Sequence, residues 1–241
     1  INFFLLFNIQ CMNKIIAILL CIPLSLLLIK CDSGEPKKNS NSIKIIEKKE
    51  NTIFNLLADI IPKFDDGDVN AIIEIPAGTM DKWELDKLSG ELRWELVDNK
   101  PRIIDYIGYP GNYGMIPRTL LPKENGGDGD PLDIIVLGPP VKRGSILKCK
   151  IIGVLFLSDR GEQDDKLIAV SINSPLYLIN DIADLNKNYN GISEIIKLWF
   201  TNYKGPNKMT SEGFGSKDIA EDLLSRAIKE YKFNNTKDNT K

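Results

Sequence analysis

The chain has 241 residues, 43% of them apolar, which is enough for one well-buried domain with extra length at an end. Its 31 Lys and Arg against 33 Asp and Glu leave a net charge of -2, so nothing pulls the whole chain toward nucleic acid and charge has to be read locally. Histidine is absent, which excludes Ser-His-Asp and Cys-His catalysis, His-ligated zinc and imidazole acid-base chemistry, and leaves carboxylates, lysines, arginines and tyrosines.

In chain order, Ile1 opens the sequence, and Met12-Asn13-Lys14 is a better start. Ile15 to Ile29 is apolar apart from Ser25, the length of a signal-peptide core and shorter than the roughly 20 residues of a membrane span. Cys31 and the polar tract Asp32 to Asn41 follow. This arrangement resembles a bacterial lipoprotein leader, with Lys30 standing where such leaders carry a small residue. The expected organisation is a hydrophobic leader at 1–31, a polar linker at 32–52, a folded domain at 53–233 and a disordered tail at 234–241. The leader implies a membrane-tethered or exported protein, with the cytoplasm as the alternative. Cys11, Cys21 and Cys31 fall in the leader, so Cys149 is alone in the domain and neither a disulfide nor a sulfur-ligated metal is expected there.

Asn51 to Phe64 reads as a short helix, and Ala71 to Ile75 as a strand ending at Pro76. A hairpin is expected around Lys87-Leu88-Ser89-Gly90, with Trp83 and Leu85 on one face and Leu92, Trp94 and Leu96 lining one face of the second strand. Lys82 and Glu84 then share the polar side. Further strands are expected at Ile134 to Leu137, Ser145 to Leu157 and Lys166 to Ile172. Ile192, Ile195, Ile196, Trp199 and Tyr203 fall at helical spacing before Gly205-Pro206. Ser216 can cap a last helix with an apolar stripe of Ile219, Ala220, Leu223, Leu224, Ala227, Ile228 and Tyr231. Short strands followed by two terminal helices predict a mainly β domain, a strongly curved sheet or closed barrel with helices packed on one side.

The chemistry concentrates in Asp128-Gly129-Asp130-Pro131-Leu132-Asp133. Three like charges this close raise one another's pKa values unless cations neutralise them, and hard divalent cations are the natural partner. Asp128 and Asp130 share a face of an extended segment while Asp133 has the opposite parity; a kink at Pro131 lets the three converge. The segment does not match an EF-hand loop, since Leu132 and Asp133 stand where an oxygen ligand and the turn glycine belong. A second acidic stretch, Asp159-Arg160-Gly161-Glu162-Gln163-Asp164-Asp165-Lys166, follows a predicted strand and could supply further ligands.

The hexamer resembles the signature of the soluble, family I inorganic pyrophosphatases. The resemblance extends over Ala71 to Lys204 through Glu74-Ile75-Pro76, Lys82-Trp83-Glu84, Tyr109-Pro110-Gly111-Asn112-Tyr113-Gly114, Asp159 to Lys166 and Tyr203-Lys204, in that order. It implies an OB-like five-stranded β-barrel flanked by two C-terminal helices. It also implies that Asp128, Asp133, Asp159 and Asp164 ligate magnesium, with Glu74 and Glu84 serving the metals or their waters. Asp130 would be the general base, and Lys82, Arg102, Tyr109, Lys166, Tyr203 and Lys204 would hold phosphoryl oxygens, with Arg93 a competitor for Arg102.

The activity so implied is Mg2+-dependent hydrolysis of pyrophosphate to two phosphates. An all-oxygen, histidine-free ligand set favours Mg2+ over zinc, with Mn2+ a substitute. The alternative is a tethered lipoprotein that binds divalent cations or phosphate without turnover. Nucleic acid is not an expected partner, because no basic stripe with interleaved aromatics is present. Family members are often homo-oligomers.

Overall fold

The strands that carry the domain are held in one hydrogen-bonded circuit. The computed structural model describes residues 54–122, 127 and 129–238. The expected leader and linker, Asp128 and the last three residues of the expected tail lie outside the described residues. In chain order the strands are β1 (Val69–Ile75), β2 (Trp83–Leu85), β3 (Leu92–Trp94), β4 (Leu96–Val97), β5 (Lys100–Pro101), β6 (Asn112–Met115), β7 (Asp133–Leu137), β8 (Ile146–Asp159), β9 (Glu162–Gln163), β10 (Lys166–Ser171) and β11 (Met209–Gly215). The helices are α1 (Ile182–Asn188), α2 (Ile192–Asn202) and α3 (Lys217–Asp238).

Strand β1 pairs antiparallel with β6, β6 with β7, β7 in parallel with β10, β10 antiparallel with β8, and β8 antiparallel with β1. Five strands therefore close on themselves, as the mainly β reading anticipated, and a closed ring leaves those strands few unpaired edges. Long β8 makes closure possible: its first residues pair with β1, its middle with β10, and its end with β9 and β11. Gly114 permits the β1–β6 approach, because a Cβ there would lie 1.8 Å from the Ile72 carbonyl oxygen.

Strands buried on both faces read as near-continuous apolar runs, as in β7 and β10, and β1 is buried along its length although it carries Asn70 and Glu74. Ile73, Ile134, Val136, Leu167 and Ala169 join Ala220, Leu223, Leu224 and Ala227 of α3 in one buried cluster. Ile75, Ile135, Leu137, Ile168 and Val170 join Leu185 of α1 and Ile196, Trp199 and Phe200 of α2 in another. The helices thus pack in two clusters instead of on one side.

Several expectations are corrected. The helix expected over 51–64 does not form among the described residues; Asn55 Oδ1 accepts from the Leu57 and Ala58 N–H groups at 2.9 Å, which caps a single turn, and Pro62 follows. Helix α1 and strand β11 were not anticipated, and among the described residues three α-helices stand where two C-terminal ones were expected. Leu96, Ile195 and Ile219 are exposed, while Phe200, outside the expected stripe, is buried. The C-terminal helix continues to Asp238, past the residue where fraying was expected.

Candidate active site

Glu74 is turned toward the site by an irregularity in β1. Ile73 pairs with Gly114 and Ile75 with Tyr113, so Glu74 is the extra residue of a bulge, a device that re-aims a side chain out of the strand's alternation. Its Oε1 accepts from the Leu85 N–H at 2.7 Å, and its backbone oxygen accepts from Arg143 Nε at 3.0 Å. Burial pushes the Glu74 carboxyl up to about 8, against the pull of Lys82 and with Asp133 adding to the rise.

Asp133 and Lys166 meet because of strand register. Each opens its strand, and β7 and β10 run parallel with Leu167 beside Ile134, which sets Lys166 next to Asp133. The Lys166 ammonium pairs with Asp133 and, at 2.6 Å, with Asp164, while its own side chain is 3% exposed. Burial acts to lower the Lys166 pKa, but the two carboxylates outweigh it and raise it. Burial likewise pushes Asp164 above the usual carboxylate range, with Lys166 opposing. The two acidic stretches, far apart in sequence, therefore converge on one cation.

Asp159 ends β8 and Lys204 follows the C-cap residue of α2, Tyr203. Lys204 Nζ donates to Asp159 Oδ2 at 2.7 Å. The other oxygen, Oδ1, is buried without a hydrogen-bond partner. The β2–β3 hairpin, the two-stranded sheet pairing Trp83 with Trp94, faces these groups with Lys82, Glu84 and Lys87. Lys82 Nζ lies 5.4 Å from the centre of the Tyr113 ring, and Lys87 is ion-paired with Asp130. Arg102 is held by Glu95 at 2.7 Å, and its carbonyl accepts from the Lys82 N–H at 3.1 Å.

Together these groups line a cavity of about 370 Å3. Of the residues expected at the site, Glu74, Lys82, Glu84, Arg102, Asp130, Asp133, Asp164, Lys166, Tyr203 and Lys204 line it, and Asp159 is joined to it through Lys204. Tyr109 is not among the lining residues: it is 3% exposed, and its ring packs 4.3 Å from Trp199 and 5.2 Å from Tyr113. Tyr113, of the same aromatic cluster, does line the cavity. Arg93 is turned to Asp86 at 3.1 Å and Glu91 at 3.8 Å and is not among the lining residues. Lys87, from the expected hairpin turn, and Tyr113, from the Tyr109 to Gly114 block, line the cavity without having been expected there.

A hard divalent cation fits by donor type, since the acidic oxygens are the ligands such ions take. The orphaned Asp159 Oδ1 is the independent sign, a buried acceptor still owed a positive partner. Among the described residues no group of three or more acidic side chains is gathered tightly enough to hold an ion as it stands. Lys166, Lys204 and Lys87 are ion-paired with Asp133, Asp164, Asp159 and Asp130.

A closed five-strand ring thus presents carboxylates interleaved with Lys, Arg and Tyr around one cavity. The family model described as inorganic pyrophosphatase matches residues 71–232. The inorganic pyrophosphatase of Campylobacter jejuni is 38% identical over 172 residues, 68% of this chain and 92% of the relative. The solved inorganic pyrophosphatase of Helicobacter pylori superposes with a TM-score of 0.61 at 36% identity, covering 72% of this chain and 99% of that one. That of Thermus thermophilus gives 0.63 at 29% identity, covering 74% and 99%. The chain belongs to the inorganic pyrophosphatase family.

Proposed function

We propose that this protein hydrolyses inorganic pyrophosphate to two phosphates with Mg2+ as its cation and Mn2+ as a substitute. The observation that carries the reading is the pairing of Lys166 with both Asp133 and Asp164 inside a cavity that also holds Asp130, Lys82, Arg102 and Lys204. Such a pocket offers acidic oxygens to cations and positive groups to an anion side by side. Asp133, Asp159 and Asp164, with Asp128 from the same motif, would hold the metal, and Glu74 and Glu84 would serve it or its waters. Mg2+ would supply neutralisation of the pyrophosphate oxygens and acidification of the attacking water.

The chain's own residues do the rest. Lys82, Arg102, Lys204 and the Tyr203 hydroxyl bind and orient the phosphoryl oxygens, so that charge developing on the leaving phosphate meets preorganised donors. Asp130 accepts the proton of the attacking water. Lys166 holds Asp133 and Asp164 in place through two ion pairs. The binding-only alternative draws on the leader and has no observation in its favour among the described residues. Asp130→Asn is expected to lower turnover by orders of magnitude while leaving metal binding in place. A variant within about threefold of wild type, roughly 0.7 kcal/mol of barrier, would remove Asp130 from its role.

A further inference from the structure

We infer that Lys87 is a positioning residue for Asp130, fastening the acidic loop to the β2–β3 hairpin; this rests on the reading of Asp130 as the base. Gly129, directly before Asp130, holds a left-handed φ of 84°, a conformation without a Cβ to brace it. The Asp130 side chain itself is 49% exposed. Its main chain is anchored on one side, where the Asp130 carbonyl accepts from the Leu121 N–H at 3.1 Å and the Gly129 N–H donates to the Leu121 carbonyl at 2.8 Å.

Lys87 supplies the anchor on the other side. Its ammonium pairs with the Asp130 carboxylate and also donates to the Gly129 carbonyl at 3.3 Å, gripping the loop by side chain and main chain together. The turn that carries Lys87 is itself stiff. Asp86 Oδ1 accepts from the Leu88 and Ser89 N–H groups at 3.0 and 2.8 Å. The Gly90 N–H donates to the Asp86 carbonyl at 2.8 Å, and the Gly90 carbonyl accepts from Leu56 at 3.2 Å. A half-exposed ion pair of this kind adds little to folding stability. Its effect falls on the orientation of the carboxylate that takes the proton, where small displacements are costly.

The test is a double-mutant cycle on the full chain, with kcat and KM measured for magnesium pyrophosphate in wild type, K87M, K87R, D130N and K87M/D130N. K87M is expected to lose about tenfold in kcat with KM within twofold, and K87R to return to within threefold of wild type. In the D130N background, K87M is expected to cost nothing further, because its effect passes through the carboxylate. A rise in KM at unchanged kcat, a full additional loss on top of D130N, or an unchanged K87M each overturns the role of Lys87 alone. A fully active D130N overturns both that role and the reading of Asp130.

Discussion

Lys166→Met isolates the group on which the two acidic stretches converge. Methionine keeps the apolar length of the side chain and removes the ammonium that Asp133 and Asp164 share. Breaking a buried pair by deleting one partner costs about 3–5 kcal/mol, because the remaining charge is left uncompensated. The lower end applies here: both carboxylates retain about a fifth of their side-chain exposure, and Asp164, already raised by burial, can take up a proton. For a domain of this size, about 3 kcal/mol corresponds to a loss of roughly 6–12 °C in Tm at neutral pH without metal. The assay is thermal unfolding followed by circular dichroism in chelator and in saturating Mg2+. Mg2+ should recover much of the loss, since it neutralises the same carboxylates, and acid pH should shrink it by protonating them. A shift under 2 °C in chelator, or a loss of equal size with and without Mg2+, would refute the reasoning.

Glu74 gives a pH prediction. Its folded-state value of about 8 lies above the ordinary 4.5, so between those values the metal-free folded protein holds a proton that the unfolded chain releases. Stability from this group is therefore lost as pH rises through 4.5 to 8, and Mg2+ binding near pH 7 should release a proton. Calorimetric titration of Mg2+ in buffers of different ionisation enthalpy measures it, and equal proton release in wild type and Glu74→Gln would contradict it. Arg102 lines the cavity and Arg93 does not. Arg102→Ala should raise KM for pyrophosphate by more than tenfold and Arg93→Ala by less than twofold, and steady-state kinetics showing the reverse would exchange their roles.

The residues that gather at the cavity could be picked out in sequence because most of them sit in compact blocks. The hexamer, the Asp159 to Lys166 stretch and Tyr203-Lys204 each contribute a group at a strand or helix end, where a short motif can be seen. What escaped notice depends on three-dimensional register. The bulge that turns Glu74 into the cavity follows from the shifted pairing of β1 with β6, which no local pattern encodes. Tyr109 and Tyr113 are equivalent as letters and share one buried aromatic cluster, and only their placement in the fold leaves Tyr113 at the cavity wall. Strand β11, Met209-Thr210-Ser211-Glu212-Gly213-Phe214-Gly215, has weak strand propensity and is held by its ladder with β8. Leu96 and Ile195 show the converse, apolar residues at plausible periodicity that the ring leaves exposed.

Phosphate release from pyrophosphate by the purified chain, measured with Mg2+, Mn2+, Zn2+ and chelator, tests the central claim most directly. The account predicts fast release with Mg2+, slower release with Mn2+ and none in chelator. Release that persists undiminished in chelator, or its absence in Mg2+, would contradict it.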